Sequence, residues 1–315
     1  MIIDVNPEFG YELACSIPYA HYLHKKNKLE KVITCKGMKP FYYFCDNVEE
    51  KYDSRNIDNR SNGVQNLPNN WIHHNAEAVL GKKMSELPPE EQIKGNGVLD
   101  YREWSPPPYR EHYANNQFKY DKPFVVLSNR YNFEHGQPPL GFFTIECLYE
   151  IFNYFKEKDY YVVYKRPKNN EFALDMNEIM ALQSNYNDIN ADVEGIGNIT
   201  DFELCNYYDN VLLLDDIVKE GGLSYNETQL KLFSNSSGFI SMGGGSGIFC
   251  SYFKVPNITY LHTSGEIREN YFNENCYYRK LSNANIYPVV DKNEDIIKRG
   301  KADFSELYRL MGEVL

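Results

Sequence analysis

Apolar and polar positions alternate in blocks at the start of the chain. Residues 2–5 form a short, mostly apolar segment that predicts a strand, and a turn-rich stretch follows it. Apolar side chains then recur at helical spacing, although Pro18 requires the helix to begin near it or to bend there. Residues 31–35 predict a second strand. This order of strand, helix and strand is typical of a parallel sheet.

The pattern weakens between residues 51 and 120, where Asn, Asp, Pro and charged residues predominate. We expect long loops with short elements there, because polar and Pro-rich runs interrupt both helices and strands. Such a stretch is typical of binding loops or of a connection between domains. We therefore predict an N-terminal domain at 1–120, a second domain at 121–290 and a closing helix within 291–315.

Regular alternation returns after residue 121. Strands that alternate with helices predict a doubly wound α/β domain, and a final amphipathic segment predicts the closing helix at 303–314. Asn226 is the expected N-cap of the third helix of this domain. The predicted strands are 124–127, 160–164, 211–214, 238–241 and 258–261, and the predicted helices are 144–158, 174–182, 227–233 and 248–253.

The composition narrows the range of functions. The 315 residues include 33 Lys and Arg against 44 Asp and Glu, a net charge of −11, and nucleic acid is not an expected partner because its binding requires clustered basic residues. No signal-peptide pattern opens the chain, and no apolar run approaches the roughly 20 residues of a membrane span, which predicts a cytoplasmic protein. The 7 Cys show no zinc-type spacing, which favours reduced, buried thiols.

The strongest local signal is a glycine-rich segment at residues 241–247, between an apolar strand and an apolar helix. Glycine lets the backbone approach a ligand closely, and the first turn of the helix offers N–H groups to a diphosphate. A turn that only lets strand and helix pack would give the same pattern, and the spacing matches neither a Walker A loop nor GxGxxG. The candidate donor-binding residues are Gly244, Gly245, Ser246 and Gly247.

Two other strand ends carry polar and basic side chains. Asn129 and Arg130 follow the strand at 124–127, and Lys165 and Arg166 follow the next strand. Ligands of open α/β sheets bind beyond the carboxyl ends of the strands, so we expect these side chains to hold phosphate oxygens. A charged strand end that is merely solvated is the alternative for each of them.

The loop after the first strand is the candidate acceptor side. Phe9, Gly10 and Tyr11 would oppose the glycine-rich segment if the two predicted sheets face each other. Glu8 or Glu12 would then act as general base on an acceptor hydroxyl. Either carboxylate could instead stabilise the start of a helix through its dipole, and this alternative is favoured for Glu12.

Metal binding and nucleophilic catalysis receive little support. Asp215 and Asp216 are adjacent after a predicted strand, but they lack the DxD spacing, and one such acid could equally bind a ribose hydroxyl. The histidines are scattered, with only His262 at a strand end. No G-x-S-x-G motif is present. We therefore expect no metal and no bound cofactor.

The layout resembles glycosyltransferases of the GT-B architecture, in which two Rossmann-like domains face each other across a cleft. The sharpest part of the likeness is FSNSSGFISMGGGSG at residues 233–247, which is similar to the helix, strand and turn that lead to the donor diphosphate; the early FGYEL is similar to the first loop. The resemblance implies that Arg130 and Lys165 neutralise the leaving diphosphate. It also implies that Asp215 or Glu266 holds the ribose or base, without a catalytic metal.

These observations favour a glycosyltransferase that moves a sugar from a nucleotide-sugar donor to a glycan or a small hydroxylated acceptor. The expected mechanism is direct displacement, with a loop Glu taking the acceptor proton. Two alternatives stay open. A sugar-nucleotide epimerase could use the same architecture, and a non-catalytic glycan-binding protein could use the many Tyr and Phe as platforms for sugar rings.

Overall fold

The computed structural model describes residues 1–7, 9–55, 105–131, 141–166, 189–261, 285–290 and 303–315. Their fold is α/β: one small parallel sheet, one large parallel sheet and an antiparallel hairpin. The strands are β1 (Ile2–Asp4), β2 (Lys31–Cys35), β3 (Val48–Tyr52), β4 (Phe124–Ser128), β5 (Tyr161–Lys165), β6 (Asn190–Val193), β7 (Gly197–Thr200), β8 (Val211–Leu213), β9 (Gly238–Met242), β10 (Asn257–Leu261) and β11 (Ile286–Val290). The helices are α1 (Ile17–Lys25), α2 (Tyr109–His112), α3 (Ile145–Glu157), α4 (Asp201–Asn206), α5 (Leu214–Gly221), α6 (Tyr225–Ser234), α7 (Gly245–Ser251) and α8 (Ser305–Val314).

The large sheet has the strand order β8-β5-β4-β9-β10-β11, and all of its neighbouring strands are parallel. When only the strands of this sheet are counted along the chain, the order is 3-2-1-4-5-6, that of dinucleotide-binding folds. The direction of winding reverses between β4 and β9. The predicted doubly wound α/β architecture is confirmed, and Ser128 and Met242, at the carboxyl ends of these two strands, flank the reversal point.

Helices cover both faces of the large sheet. Because successive side chains of a strand point to opposite faces, Val125 packs with α3, α4 and α8, whereas Val126 packs with α5, α6 and α7. We call the second side the α5–α7 face. The apolar stripe predicted for α3 is completely buried on the first side, which explains why this helix forms where the sequence predicts it.

The small sheet has the order β1-β2-β3 and is also parallel. A helical turn at Phe9–Tyr11 follows β1 and continues as a π-helix at Glu12–Ser16 before α1. Pro18 lies at the start of α1 and has no N–H for the carbonyl of Ala14, so regular α-helical hydrogen bonding cannot run through this point.

The small sheet packs against the helices of the large one. Ile3 and Val32 of the small sheet belong to the same buried apolar cluster as Val126 and Phe239 on the α5–α7 face. The division into 1–120, 121–290 and 291–315 stays a prediction. No helix in the described part of the chain is long and apolar enough to cross a bilayer.

Most predicted elements of the second half agree with the structure to within a few residues, and α8 closes the chain as expected. The predicted helix at 174–182 lies outside the described residues. The sequence did not predict β3, the β6–β7 hairpin, α4, α5 or β11. The prediction for Asn226 was also wrong, because the hydroxyl of Ser224 accepts the capping bond from the backbone N–H of Glu227, while the Asn226 amide donates to the carbonyl of Gly37.

Candidate functional site

The candidate site lies at the carboxyl ends of β4 and β9, where the winding of the large sheet reverses. Sheets of this kind bind ligands in the crevice outside these strand ends. The loop that contains Asn129 and Arg130 leaves β4 there, and Gly243 and Gly244 leave β9. Two of the segments singled out in the sequence are therefore brought together by the strand order alone.

The glycine-rich turn divides into a partly accessible part and a buried part. Gly244 has φ 90°, a left-handed conformation that favours glycine, and it caps the start of α7. It is partly accessible, as are Gly245 and Ser246. Gly247 is buried, and a Cβ there would lie 2.8 Å from the carbonyl oxygen of Met242. The hydrogen side chain of Gly247 therefore lets α7 pack on β9, and the ligand contact expected of this residue stays a prediction.

The first loop of the chain touches this turn directly. A Cβ on Gly10 would lie 3.6 Å from Cα of Gly245, and a Cβ on Gly245 would lie 3.4 Å from the ring of Phe9. The predicted opposition of the two segments is thus a packed contact, which covers one side of Gly245. Gly244 and Ser246, on either side of Gly245, are partly accessible to solvent. Glu8 and the side chain of Tyr11 lie outside the described residues.

Glu12 is a buried structural carboxylate. Its Oε2 atom pairs with Nη1 of Arg55 at 2.5 Å, and Oε1 accepts hydrogen bonds from Thr34 at 2.5 Å and Tyr42 at 2.9 Å. Its side chain is 0% exposed. The carboxylate lies within the small sheet's core with both oxygens engaged, so the structure argues against the predicted role of Glu12 as general base.

Asn129 holds the loop that follows β4. Its Oδ1 atom accepts from the backbone N–H groups of Arg130 and Phe143, and its amide donates to the Phe143 carbonyl at 3.0 Å and to the Tyr164 hydroxyl at 3.1 Å. Since these partners occupy its side chain, Asn129 fixes the position of Arg130, and the ligand contact expected of Asn129 stays a prediction.

Arg166 is also structural. Its Nε and Nη2 atoms form a two-pronged pair with Asp201 at 2.5 and 2.6 Å, and its guanidinium lies 4.4 Å from the centre of the Phe202 ring. Both members of the pair are almost fully buried. Asp201 neutralises the charge of Arg166, and the phosphate contact expected of Arg166 stays a prediction.

Asp201 is a residue that the sequence analysis missed. Its carboxylate also accepts a hydrogen bond from Tyr164 at 2.7 Å, which links the Arg166 pair to Asn129. A signal for it exists in the sequence: Thr200 and Glu203 form a capping box, a pattern that places the start of a helix at residue 201.

Arg130 remains at the crevice. Its side chain is half-buried beside the carboxyl end of β4, and its Nε atom donates to the carbonyl of Gly141 at 3.3 Å. A planar guanidinium carries its N–H donors in a fixed fork that matches the geometry of phosphate oxygens. Arg130 therefore keeps the predicted function as a candidate.

Lys165 is a buried ammonium without an anionic partner. It is 6% exposed, and its Nζ lies 5.8 Å from the ring centre of Phe233 and 5.9 Å from that of Phe249. Within the described part of the chain its ammonium group makes no hydrogen bond and no ion pair. Burial raises the pKa of the neighbouring Cys250 thiol to about 12, so this thiol is neutral and supplies no negative charge.

Burial lowers the pKa of Lys165, and the charge of Asp215 only partly offsets this effect. A buried charge that lacks a partner costs stability, and a bound anion would remove that cost. Lys165 is therefore the side chain in the site that most requires an anion.

The lowered pKa predicts a pH-dependent stability. Between the pKa of Lys165 in the folded protein and its value of about 10.4 in the unfolded chain, the unfolded state binds more protons, so stability rises with pH. Buried tyrosines also titrate in alkaline solution, so the effect is read as a difference from Lys165→Met. Denaturant titrations from neutral pH to pH 10 should show that the free energy of unfolding of wild type increases relative to that of the variant as the pH increases. A constant difference would contradict an unpartnered lysine.

Of the acidic candidates Asp215 and Glu266, the structure describes Asp215 and places it in a helix and not at a strand end. β8 ends at Leu213, and Asp215 lies in the first turn of α5, partly exposed, where the helix dipole favours a carboxylate. Glu266 and His262 lie outside the described residues. Among the described residues, no group of three or more His, Cys, Asp or Glu could hold a metal ion.

Comparison with known proteins gives a likeness in structure but none in sequence. No protein-family model and no curated protein matches the chain. Among solved structures, the chain is similar to the crystal structure of the glycosyl transferase family 9 from Veillonella parvula DSM 2008, with a TM-score of 0.45 and 9% sequence identity. The alignment covers 100% of this chain and 89% of the other. A likeness of this size says nothing about substrates.

Proposed function

We propose that the protein is a glycosyltransferase that moves a sugar from a nucleotide-sugar donor to a hydroxyl of a glycan or a small acceptor. The observation that carries this proposal is the meeting of three features at one edge of the large sheet. The winding reverses between β4 and β9, and a partly accessible glycine turn follows β9. Two basic side chains lie at the same edge, since Arg130 follows β4 and Lys165 ends β5.

The basic side chains at this edge of the sheet suit a negatively charged donor diphosphate. The protein carries a net charge of −11, so an anionic ligand needs a local group of cations. Lys165 supplies a positive charge that no protein anion pairs with in the described residues. Arg130 supplies a planar donor at the neighbouring strand end. The partly accessible residues Gly244 and Ser246 add backbone N–H groups at the start of α7.

The proposed reaction is a displacement at the anomeric carbon. An acceptor oxygen bonds to that carbon while the bond to the diphosphate oxygen breaks, and the nucleoside diphosphate leaves with the electron pair. Arg130 and Lys165 stabilise the charge that develops on the leaving group. The acceptor proton passes to a carboxylate, for which Glu8 is the remaining candidate in the first loop. No metal is required in this proposal.

A transfer assay tests the proposed function. The protein is incubated with a panel of nucleotide sugars, with and without hydroxylated acceptors, and released nucleoside diphosphate and acceptor mass are followed. We expect acceptor-dependent release together with the mass of one added sugar. Conversion of a donor into an isomer without acceptor would favour an epimerase instead. Glycan binding with no donor turnover would favour a binding protein.

Arg130→Ala tests the phosphate contact separately. Loss of a charge-assisted hydrogen bond should weaken binding of the matching nucleoside diphosphate by about tenfold, because such bonds contribute about 1.5–3 kcal/mol. Binding of the corresponding nucleoside, which lacks phosphate, should not change. Calorimetric titration of both ligands measures the two affinities. Equal losses for nucleoside and nucleoside diphosphate would contradict a phosphate role for Arg130.

A further inference from the structure

We propose that Ser128 binds a phosphate oxygen of the donor beside Lys165, on the α5–α7 face of the large sheet. This inference rests on the proposed function and adds a residue and a side of the sheet to it. The sequence analysis considered the loop after β4 but assigned no role to the serine that ends the strand.

Strand register places Ser128 and Lys165 side by side. Ser128 of β4 is paired directly with Lys165 of β5 and, on its other side, with Ser241 of β9. Directly paired residues of parallel strands lie about 4.8 Å apart and point to the same face. Val126 and Val163, two residues earlier in each strand, pack on the α5–α7 face. Ser128 and Lys165 therefore share that face at the carboxyl edge.

The hydroxyl of Ser128 has no partner. The residue is 1% exposed, and its Oγ atom makes no hydrogen bond within the described part of the chain. Ser241, at the same level of the adjacent strand, is satisfied, since its hydroxyl donates to Asn257 at 2.9 Å. Buried hydroxyls are normally bonded, so an orphan beside an unpaired ammonium points to a missing acceptor.

The chemistry of these two groups defines the ligand. A hydroxyl and an ammonium both donate hydrogen bonds, and the ammonium carries a positive charge. Their common partner is an oxygen that accepts more than one hydrogen bond and carries negative charge, as phosphate oxygens do. On the opposite face Arg166 is already paired with Asp201, so that side offers no free cation from β5.

Ser128→Ala tests this inference with inorganic pyrophosphate as the probe. Removing an unpartnered buried hydroxyl should leave the melting temperature unchanged or raise it, while Kd for pyrophosphate should rise about tenfold. A residue with a purely structural role would not produce these opposite effects. Ser128→Cys, which keeps a weaker donor of similar shape, should lose less affinity and covers the case in which the alanine variant folds poorly.

Ser236→Ala is the matched control. Ser236 is also fully buried but lies before β9, at the other edge of the sheet, where its hydroxyl donates to the carbonyl of Phe233 at 2.8 Å. This variant should lose stability and keep wild-type affinity. The inference is overturned if wild type does not bind pyrophosphate, or if Ser128→Ala and Ser128→Cys both bind it as wild type does. Failure of the proposed function looks different: pyrophosphate binding depends on Ser128, but no sugar is transferred.

Discussion

Lys165→Met should lower affinity for the donor's nucleoside diphosphate by about 100-fold and yet make the protein more stable. Truncation of one partner of a buried charge pair costs about 2–5 kcal/mol, and a 100-fold loss of affinity corresponds to about 2.7 kcal/mol. The thioether chain occupies a similar volume among Phe233 and Phe249 without a buried charge, so the free energy of unfolding should rise by about 1–4 kcal/mol.

Calorimetry and denaturant titration measure the two effects in the same preparation. Lys219→Met is a suitable control, because Lys219 is 55% exposed and contacts Asp216 only weakly at 3.9 Å, so neither quantity should change much. A Lys165→Met protein that is less stable than wild type would show that the ammonium is satisfied in the folded state. Unchanged affinity would remove Lys165 from the site.

Glu12→Gln should lower the free energy of unfolding by about 3–5 kcal/mol, since it removes the buried carboxylate with which the buried guanidinium of Arg55 is paired. The amide also places a donor beside the hydroxyls of Thr34 and Tyr42, which now donate to Glu12. The double variant Glu12→Met/Arg55→Met removes both charges and should be less destabilised than Glu12→Gln, as a cycle of urea titrations would show.

The same variant separates structure from catalysis. Loss of a general base reduces the rate by about 100-fold or more, whereas a structural carboxylate affects the amount of folded protein. We expect folded Glu12→Gln to keep its transfer rate and its pH profile. A loss of stability below about 1 kcal/mol, or a large loss of rate in the folded protein, would return Glu12 to the list of candidate bases.

The sequence predicted the α/β alternation because its strands and helices differ clearly in apolar period. It could not predict which strand end meets which, since the adjacency of β4 and β9 depends on pairing between residues more than 100 positions apart along the chain. The glycines and basic residues therefore indicated which segments belong to the candidate site, but only the strand order shows that these segments lie side by side.

Lys165 and Arg166 show the limit of the sequence argument most clearly. They are consecutive and basic, and no local pattern distinguishes them. Successive residues at a strand end point to opposite sides, so Arg166 pairs with Asp201, while Lys165 lies among aromatic rings and forms no ion pair with any described residue. The ion pair of Glu12 could not be predicted either, because its partner Arg55 is 43 positions away and no local sequence pattern indicates the pair.

Calorimetric titration of the wild-type protein with UDP, GDP, ADP and CDP, each beside its own nucleoside, tests the central claim most directly. The proposed diphosphate site predicts that at least one of the four binds, and that its affinity exceeds that of the matching nucleoside by about tenfold or more. Absence of binding by all four, or equal binding of nucleoside and nucleoside diphosphate, would contradict the claim.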